Sequence, residues 1–245
     1  LQQFSYVASH DLKTPLRAIA GFSQFLKADY GGKLDDEADE YIERIITGVK
    51  RMQQLIDDLL AFSRVDSRGN PLDVTDLAQV VEDAKSLLQA DIEDQAGEVT
   101  CDELPMVVGD RGQMTQLFQN LIGNGLKYHG DRPPRVHISA QRDGDVWTIE
   151  VRDNGIGIAP EHHERIFEIF KRLHSSNEYS GTGIGLAVCR RIVQRHGGNL
   201  WLESEVGQGS AFFVTLKAGE PSADIESPVV AESNEAEDQL IGALG

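Results

Sequence analysis

Apolar residues recur every third or fourth position along the first 26 residues, at Phe4, Val7, Ala8, Pro15, Ala18, Ile19, Phe22, Phe25 and Leu26, with Asp11 interrupting the series. That spacing predicts an amphipathic helix. Tyr30-Gly31-Gly32 breaks it, and a heptad-like order resumes at Ala38, Tyr41, Ile45, Val49, Met52, Leu55, Leu59 and Phe62 with charges between. Two helices joined by so short a turn form a hairpin. A lone hairpin cannot bury both of its apolar seams, which predicts that two chains pair into a four-helix bundle, a homodimer. His10, Lys13, Arg17 and Gln24 share the polar face, so the His10 imidazole is expected to face solvent.

The periodicity then changes. Gly69-Asn70-Pro71 marks a linker, and Thr75 is the expected N-cap of a helix running to about Ala90. Short strands are predicted near 98–101 and 106–108. Met114, Leu117, Leu121 and Ile122 then mark a helix between Asp110 and Gly130. A β-hairpin is predicted over 135–142 and 146–152, a short helix over 160–169, a mobile lid over 170–180, a helix over Ile184–His196, and strands over 199–204 and 210–217. Strands mixed with helices packed on one face predict a two-layer α+β sandwich. The expected organisation is a helical hairpin over 1–66, a linker over 67–74, a second domain over 75–218 and a tail over 219–245. That tail is acidic, rich in Ser, Glu and Ala, and expected to be disordered.

Charge and composition narrow the function classes. The net charge of −17 argues against a nucleic-acid partner, even though seven of the acidic residues lie in the tail. No apolar run reaches the ~18 residues of a membrane span and no signal peptide opens the chain, so a cytoplasmic location is expected, with any membrane attachment left to an upstream region. Cys101 and Cys189 lack metal-site spacing, and His162-His163 lack a third ligand at a recognisable distance.

Three short patterns carry the candidate chemistry. In Asn120-Leu-Ile-Gly-Asn124-Gly-Leu-Lys127-Tyr128, the two asparagines are four apart and share a helix face. Their amide oxygens are hard donors suited to Mg²⁺, and Lys127 and Tyr128 on the next turn can reach the same anion. In Asp153-Asn-Gly155-Ile-Gly157, a carboxylate at a strand end can accept from an exocyclic amine, and the glycines let the backbone approach a ligand. In Gly181-Thr-Gly183-Ile-Gly185-Leu186, glycines lead into a helix N-terminus, a place where phosphates bind. The dinucleotide fingerprint does not fit, because a polar loop rather than a strand precedes these glycines.

These patterns, with Ile166-Phe167-Glu-Ile-Phe170-Lys171-Arg172 between the second and third, resemble the N, G1, F and G2 boxes of sensor histidine kinases, over roughly residues 1–217. The segment Lys171-Arg172-Leu-His174 with a short lid is most similar to kinases of the bacterial phytochrome type. The resemblance implies the ATP-binding α/β sandwich shared with the Hsp90, gyrase and MutL ATPases, and ATP with Mg²⁺ as its ligands. Ser9-His10-Asp11-Leu-Lys-Thr14-Pro15-Leu16 resembles the phosphoacceptor box. In that reading His10 is the nucleophile, Asp11 orients the ring and takes its proton, and Thr14 positions water for dephosphorylating a partner. Neutral imidazole suits the task because its ordinary pKa is ~6.5. Pro15 removes a helical hydrogen bond and predicts a bending point. The implied partners are a response-regulator receiver domain, which accepts the phosphoryl group on an aspartate, and a sensory domain upstream of residue 1. Lys127, Lys171 and Arg172 are the candidates to neutralise the β and γ oxygens.

Two other classes compete. In an ATP-driven clamp of the Hsp90, gyrase or MutL kind, the resemblance implies a glutamate base at the position of Asn120; an amide cannot accept that proton. A pseudokinase scaffold is expected to have lost His10 or a glycine box, and neither is missing. Gly125 departs from the alanine usual in the family, a change expected to cost the helix ~1 kcal/mol and loosen the site.

Overall fold

The computed structural model describes residues 2–66, 69–173, 179 and 181–220, with residues 2–11 described as backbone only. Helix α1 (Gln2–Tyr30) and helix α2 (Asp36–Arg64) form the hairpin. Helix α1 runs on through Pro15. The turn uses Gly32 in the left-handed region, and the Asp35 carboxylate caps α2 by accepting the Ala38 N–H at 2.8 Å. Ion pairs Lys13–Asp57 and Lys27–Glu43 tie the helices together. Both pairs straddle residue 35 symmetrically, so position 10 of α1 is level with position 60 of α2.

Leu16, Ile42, Ile46 and Val49 are buried along the hairpin, whereas Ile19, Phe22, Leu26, Ile45, Met52 and Leu59 are exposed. Phe22 and Phe25 are 70% and 65% exposed. Of the apolar series read from the sequence, most members form this open face rather than the seam between α1 and α2.

Beyond the linker, strand β1 (Asp73–Asp76) pairs antiparallel with strand β3 (Met106–Gly109), and helix α3 spans Leu77–Leu87. The expected cap at Thr75 is corrected. Thr75 sits in the strand, its hydroxyl donating to Gly109 O at 2.9 Å, while the Asp76 carboxylate accepts the Ala78 N–H at 2.9 Å. A β-branched residue favours the extended backbone, and the aspartate one position on is an equally good cap. A short helix α4 (Gln89–Asp94) follows.

Strands β2 (Glu98–Cys101), β4 (Arg135–Asp143), β5 (Val146–Asp153), β7 (Gly209–Lys217) and β6 (Leu200–Glu205) make a five-stranded sheet in the order β2-β4-β5-β7-β6. Only the β2–β4 pair is parallel among them. Helices α5 (Arg111–Lys127) and α6 (Gly185–Arg195) join α3 over one face. Phe118, Leu121, Ile122 and Leu126 of α5 share a core with Val136, Ile138, Ile149 and Val151 of the sheet. On the other face Trp201 stacks on Phe213 with ring centroids 5.3 Å apart. This is the two-layer α+β sandwich expected. The helix expected over 160–169 is instead two 3-10 turns, Pro160–His162 and Arg165–Phe167. Ile166 and Phe167 alone are buried there, too few to hold an α-helical face. The lid expected over 170–180 and the tail lie largely outside the described residues.

The hairpin is docked on this sandwich. Gln113 Nε2 donates to Val65 O at 2.8 Å, Arg191 pairs with Asp66, and the Arg191 guanidinium lies 4.9 Å from the Phe62 ring centre. The linker is held at the base of α5. The Asp110 carboxylate accepts the Asn70 N–H at 2.6 Å, and Arg195 donates to Asn70 O at 2.6 Å. His196 Nε2 accepts the Asp110 N–H at 3.0 Å while Nδ1 reaches Ile192 O at 2.7 Å. Burial holds the His196 pKa below its ordinary value, so the ring stays neutral and keeps that acceptor.

Candidate active site

A cleft of about 540 Å³ opens between α5, α6 and the end of β5. Helix α5 lends it Asn120, Asn124 and Lys127 on successive turns, with Tyr128 following. Asn120 Nδ2 donates to Gln116 O at 3.0 Å, which leaves the amide oxygen for a ligand. A Cβ on Gly185 would lie 2.9 Å from that oxygen, so only glycine lets the N-terminus of α6 come this close. Helix α6 starts at Gly185 with no side-chain cap bond, which leaves its first N–H groups for an anion. Gly181, Gly183, Gly185 and Leu186 all border the cleft.

Cations gather at the same end. Lys127 Nζ lies 3.0 Å from Tyr128 Oη and 4.4 Å from the ring centre, and Tyr128 packs against Tyr179 at 5.0 Å. Arg172 donates to Tyr179 O at 2.6 Å, and both Lys171 and Arg172 line the cleft.

Asp153 lines the cleft from the end of β5, and its Oδ1 accepts the Gly155 N–H at 2.8 Å and the Ser210 N–H at 3.1 Å. Burial pushes the carboxyl above the usual carboxylate range, against the pull of those two N–H groups and of Arg152. Such a partly satisfied, desolvated acceptor gains most from an incoming N–H donor. Gly157 has φ +70°, and a Cβ there would sit 2.0 Å from Glu205 O. Gly155 plays a different part from the one expected. It does not border the cleft; its missing Cβ makes room for Tyr128 O, 2.3 Å from where that atom would be. The expectation for Gly125 also changes. A Cβ there would meet Val136 Cγ2 at 2.7 Å and Asp153 Cβ at 3.1 Å, so the glycine lets α5 pack closely on Asp153 rather than loosening the site.

Of the candidate phosphoacceptor residues, Thr14 has a described side chain, and it does not line the cleft. Thr14 is exposed on α1, and the side chains of His10 and Asp11 lie outside the described residues. What the hairpin contributes is Gln54 and Asp58 of α2, both lining the cleft. Gln54 Nε2 donates to Asp58 Oδ1 at 2.7 Å, and the Thr182 hydroxyl of the glycine-rich loop donates to Asp58 Oδ2. Neither residue has a local signature, because an acid or amide in a charge-rich helix matches any solvated face.

Comparison with known proteins agrees with this geometry. Residues 1–68 match the His Kinase A (phospho-acceptor) domain, and residues 109–220 match the histidine kinase-, DNA gyrase B- and HSP90-like ATPase family. The chain is 44% identical over 219 residues to phytochrome-like protein Cph1 of Synechocystis sp., covering 89% of this chain and 29% of that protein. It is 35% identical over 218 residues to the methanogenesis regulatory histidine kinase FilI of Methanothrix harundinacea, covering 88% and 24%. Full-length ShkA, crystallised with AMPPNP, superposes with a TM-score of 0.69 at 25% identity over 90% of this chain and 47% of that one. The chain thus spans less than a third of the length of its phytochrome-like relative. Among the described residues no helix is long and apolar enough to cross a membrane. With an ATP-binding sandwich of this family following a phosphoacceptor hairpin, the chain belongs to the sensor histidine kinases.

Proposed function

We propose that the chain is an ATP:protein-histidine phosphotransferase that phosphorylates His10 and passes the phosphoryl group to an aspartate of a response-regulator receiver domain. The observation that carries this reading is one cleft where the α5 asparagines, Lys127 and the uncapped N-terminus of α6 converge, beside the hairpin that holds His10. Asp153 accepts the adenine amine, and the glycine-rich loop holds the phosphates. A His10 ring nitrogen attacks the γ-phosphorus, the bond to the β–γ bridging oxygen breaks, ADP leaves, and Asp11 takes the ring proton. Lys127, Lys171 and Arg172 stabilise the charge on the departing oxygens. The free amide oxygen of Asn120, with Asn124 one turn on, fits Mg²⁺, which when bound neutralises phosphate charge. Asn120 carries no base that would spend ATP on water, which favours transfer to a side chain over a clamp-type ATPase.

The same reading divides the chain into a dimerising hairpin over 1–66, a linker over 67–74 and a catalytic sandwich over 75–218. Two chains pair through the open apolar face of the hairpin, and the longer relatives leave room for a sensory region, which this reading places before residue 1. A cytoplasmic setting follows from the ATP substrate. Thr14, one helical turn after His10, positions water against the phosphorylated receiver. Thr14→Ala is therefore expected to keep autophosphorylation and transfer to a receiver but to slow receiver dephosphorylation by up to ~100-fold, the scale on which misplacing a reacting group is felt. Following labelled phosphate from this chain onto a receiver and then into solution checks both steps. No transfer to any receiver would contradict the relay, and unchanged dephosphorylation would remove Thr14 from its role.

A further inference from the structure

We propose that the contact between Asp58 of the hairpin and Thr182 of the glycine-rich loop makes the docked chain favour a nucleoside diphosphate over a triphosphate. The inference rests on the reading of the cleft as an ATP site. Thr182 lies between Gly181 and Gly183, on the loop that leads to the anion-binding end of α6. Asp153, this loop and Asp58 line one cleft, so a nucleotide with its base at Asp153 would run its phosphates toward the loop and its terminal phosphate toward the hairpin. That place already holds the Asp58 carboxylate, with Gln54 and Thr182 both donating to it.

A diphosphate ends short of this contact. A γ-phosphate brings further negative charge beside the carboxylate and competes for the Thr182 hydroxyl. In a partly buried cleft, like charges repel far more strongly than in water. The remaining docking contacts, Gln113 to Val65 O, Arg191 to Asp66 and Arg191 over Phe62, lie away from the glycine-rich loop and hold the hairpin down until that repulsion acts. Because coupling is reciprocal, triphosphate binding weakens docking by the factor by which docking weakens triphosphate binding. The device loads ATP by releasing the hairpin and lets the hairpin settle back once only ADP remains. Asp58 is thus a residue that sets nucleotide selectivity, not a catalytic one.

The test compares affinities for Mg·ADP and for a non-hydrolysable β,γ-imido ATP analogue in the intact chain, Asp58→Asn and Asp57→Asn. Asp57 carries the same charge one position away, is exposed, and pairs with Lys13 outside the cleft. The ratio of the analogue's Kd to that of ADP is expected to fall about tenfold in Asp58→Asn, the effect of one like charge in a partly screened site, and to stay unchanged in Asp57→Asn. Hydrogen exchange at the amides of residues 54–62 supplies a second readout, rising with the analogue but not with ADP. Equal ratios in all three proteins, with both nucleotides bound, would overturn the proposal and leave the ATP site intact. Binding of neither nucleotide would overturn both.

Discussion

Asn124→Ala is expected to reduce Mg·ATP-dependent labelling of His10 by about 100-fold or more, the scale on which removing one contact to developing phosphate charge is felt. Asn124 is half-buried on the cleft face of α5, and its side chain takes part in no hydrogen bond among the described residues. The helix is held from its other face by Met114, Leu117, Phe118, Leu121 and Ile122, all buried. Losing the amide therefore removes a ligand without opening a cavity, and the nucleotide-free protein is expected to unfold within ~1 kcal/mol of the parent, as for surface substitutions. Labelling with γ-labelled ATP and thermal unfolding without nucleotide check the two halves separately. A fall in stability matching the fall in labelling would mean that Asn124 builds the helix rather than the metal site.

Phe22→Asp is expected to turn the proposed dimer into a monomer. Phe22 is 70% exposed within one chain and lies at helical spacing with the exposed Ile19 and Leu26, while Ile45, Met52 and Leu59, seven apart, are exposed on α2. So many exposed large apolar side chains on a two-helix hairpin mark a protein interface. Each large side chain buried there contributes ~1.5–3 kcal/mol, and a two-fold axis counts every substitution twice. Placing an unpaired carboxylate in that seam costs several kcal/mol more, so the dimer Kd is expected to rise by at least ~100-fold. Sedimentation or light scattering over a concentration series measures it. A variant that stays dimeric at the parent's concentrations would show that another surface holds the chains together.

What was legible in the sequence was what is local. The heptad-like run in α2, the i, i+4 asparagines of α5 and the alternate glycines before α6 each declare themselves within a dozen residues, and each element was found close to its expected limits. Reading them as one site drew on a family resemblance, since no spacing says that residues 60 apart share a cleft. Boundaries failed where two good choices adjoin, as at Thr75 and Asp76, or where too few apolar residues fix a helix, as over 160–169. The roles of Gly125 and Gly155 were misread because the atoms that crowd them, on Val136, Asp153 and Tyr128, are set by tertiary packing. The contact between Asp58 and Thr182 joins residues 124 positions apart and has no local signature.

That the cleft and the hairpin form one phosphotransfer machine is tested most directly by incubating the chain with γ-labelled ATP and Mg²⁺ beside His10→Gln. In the hairpin the backbone at position 10 is level with Leu60, two residues and so roughly 3 Å along the axis from Asp58, which lines the cleft. The expected result is label on the parent that is lost in acid, stable in alkali and absent from His10→Gln. Free phosphate released equally by both proteins, with label on neither, would contradict it and make the chain a clamp-type ATPase.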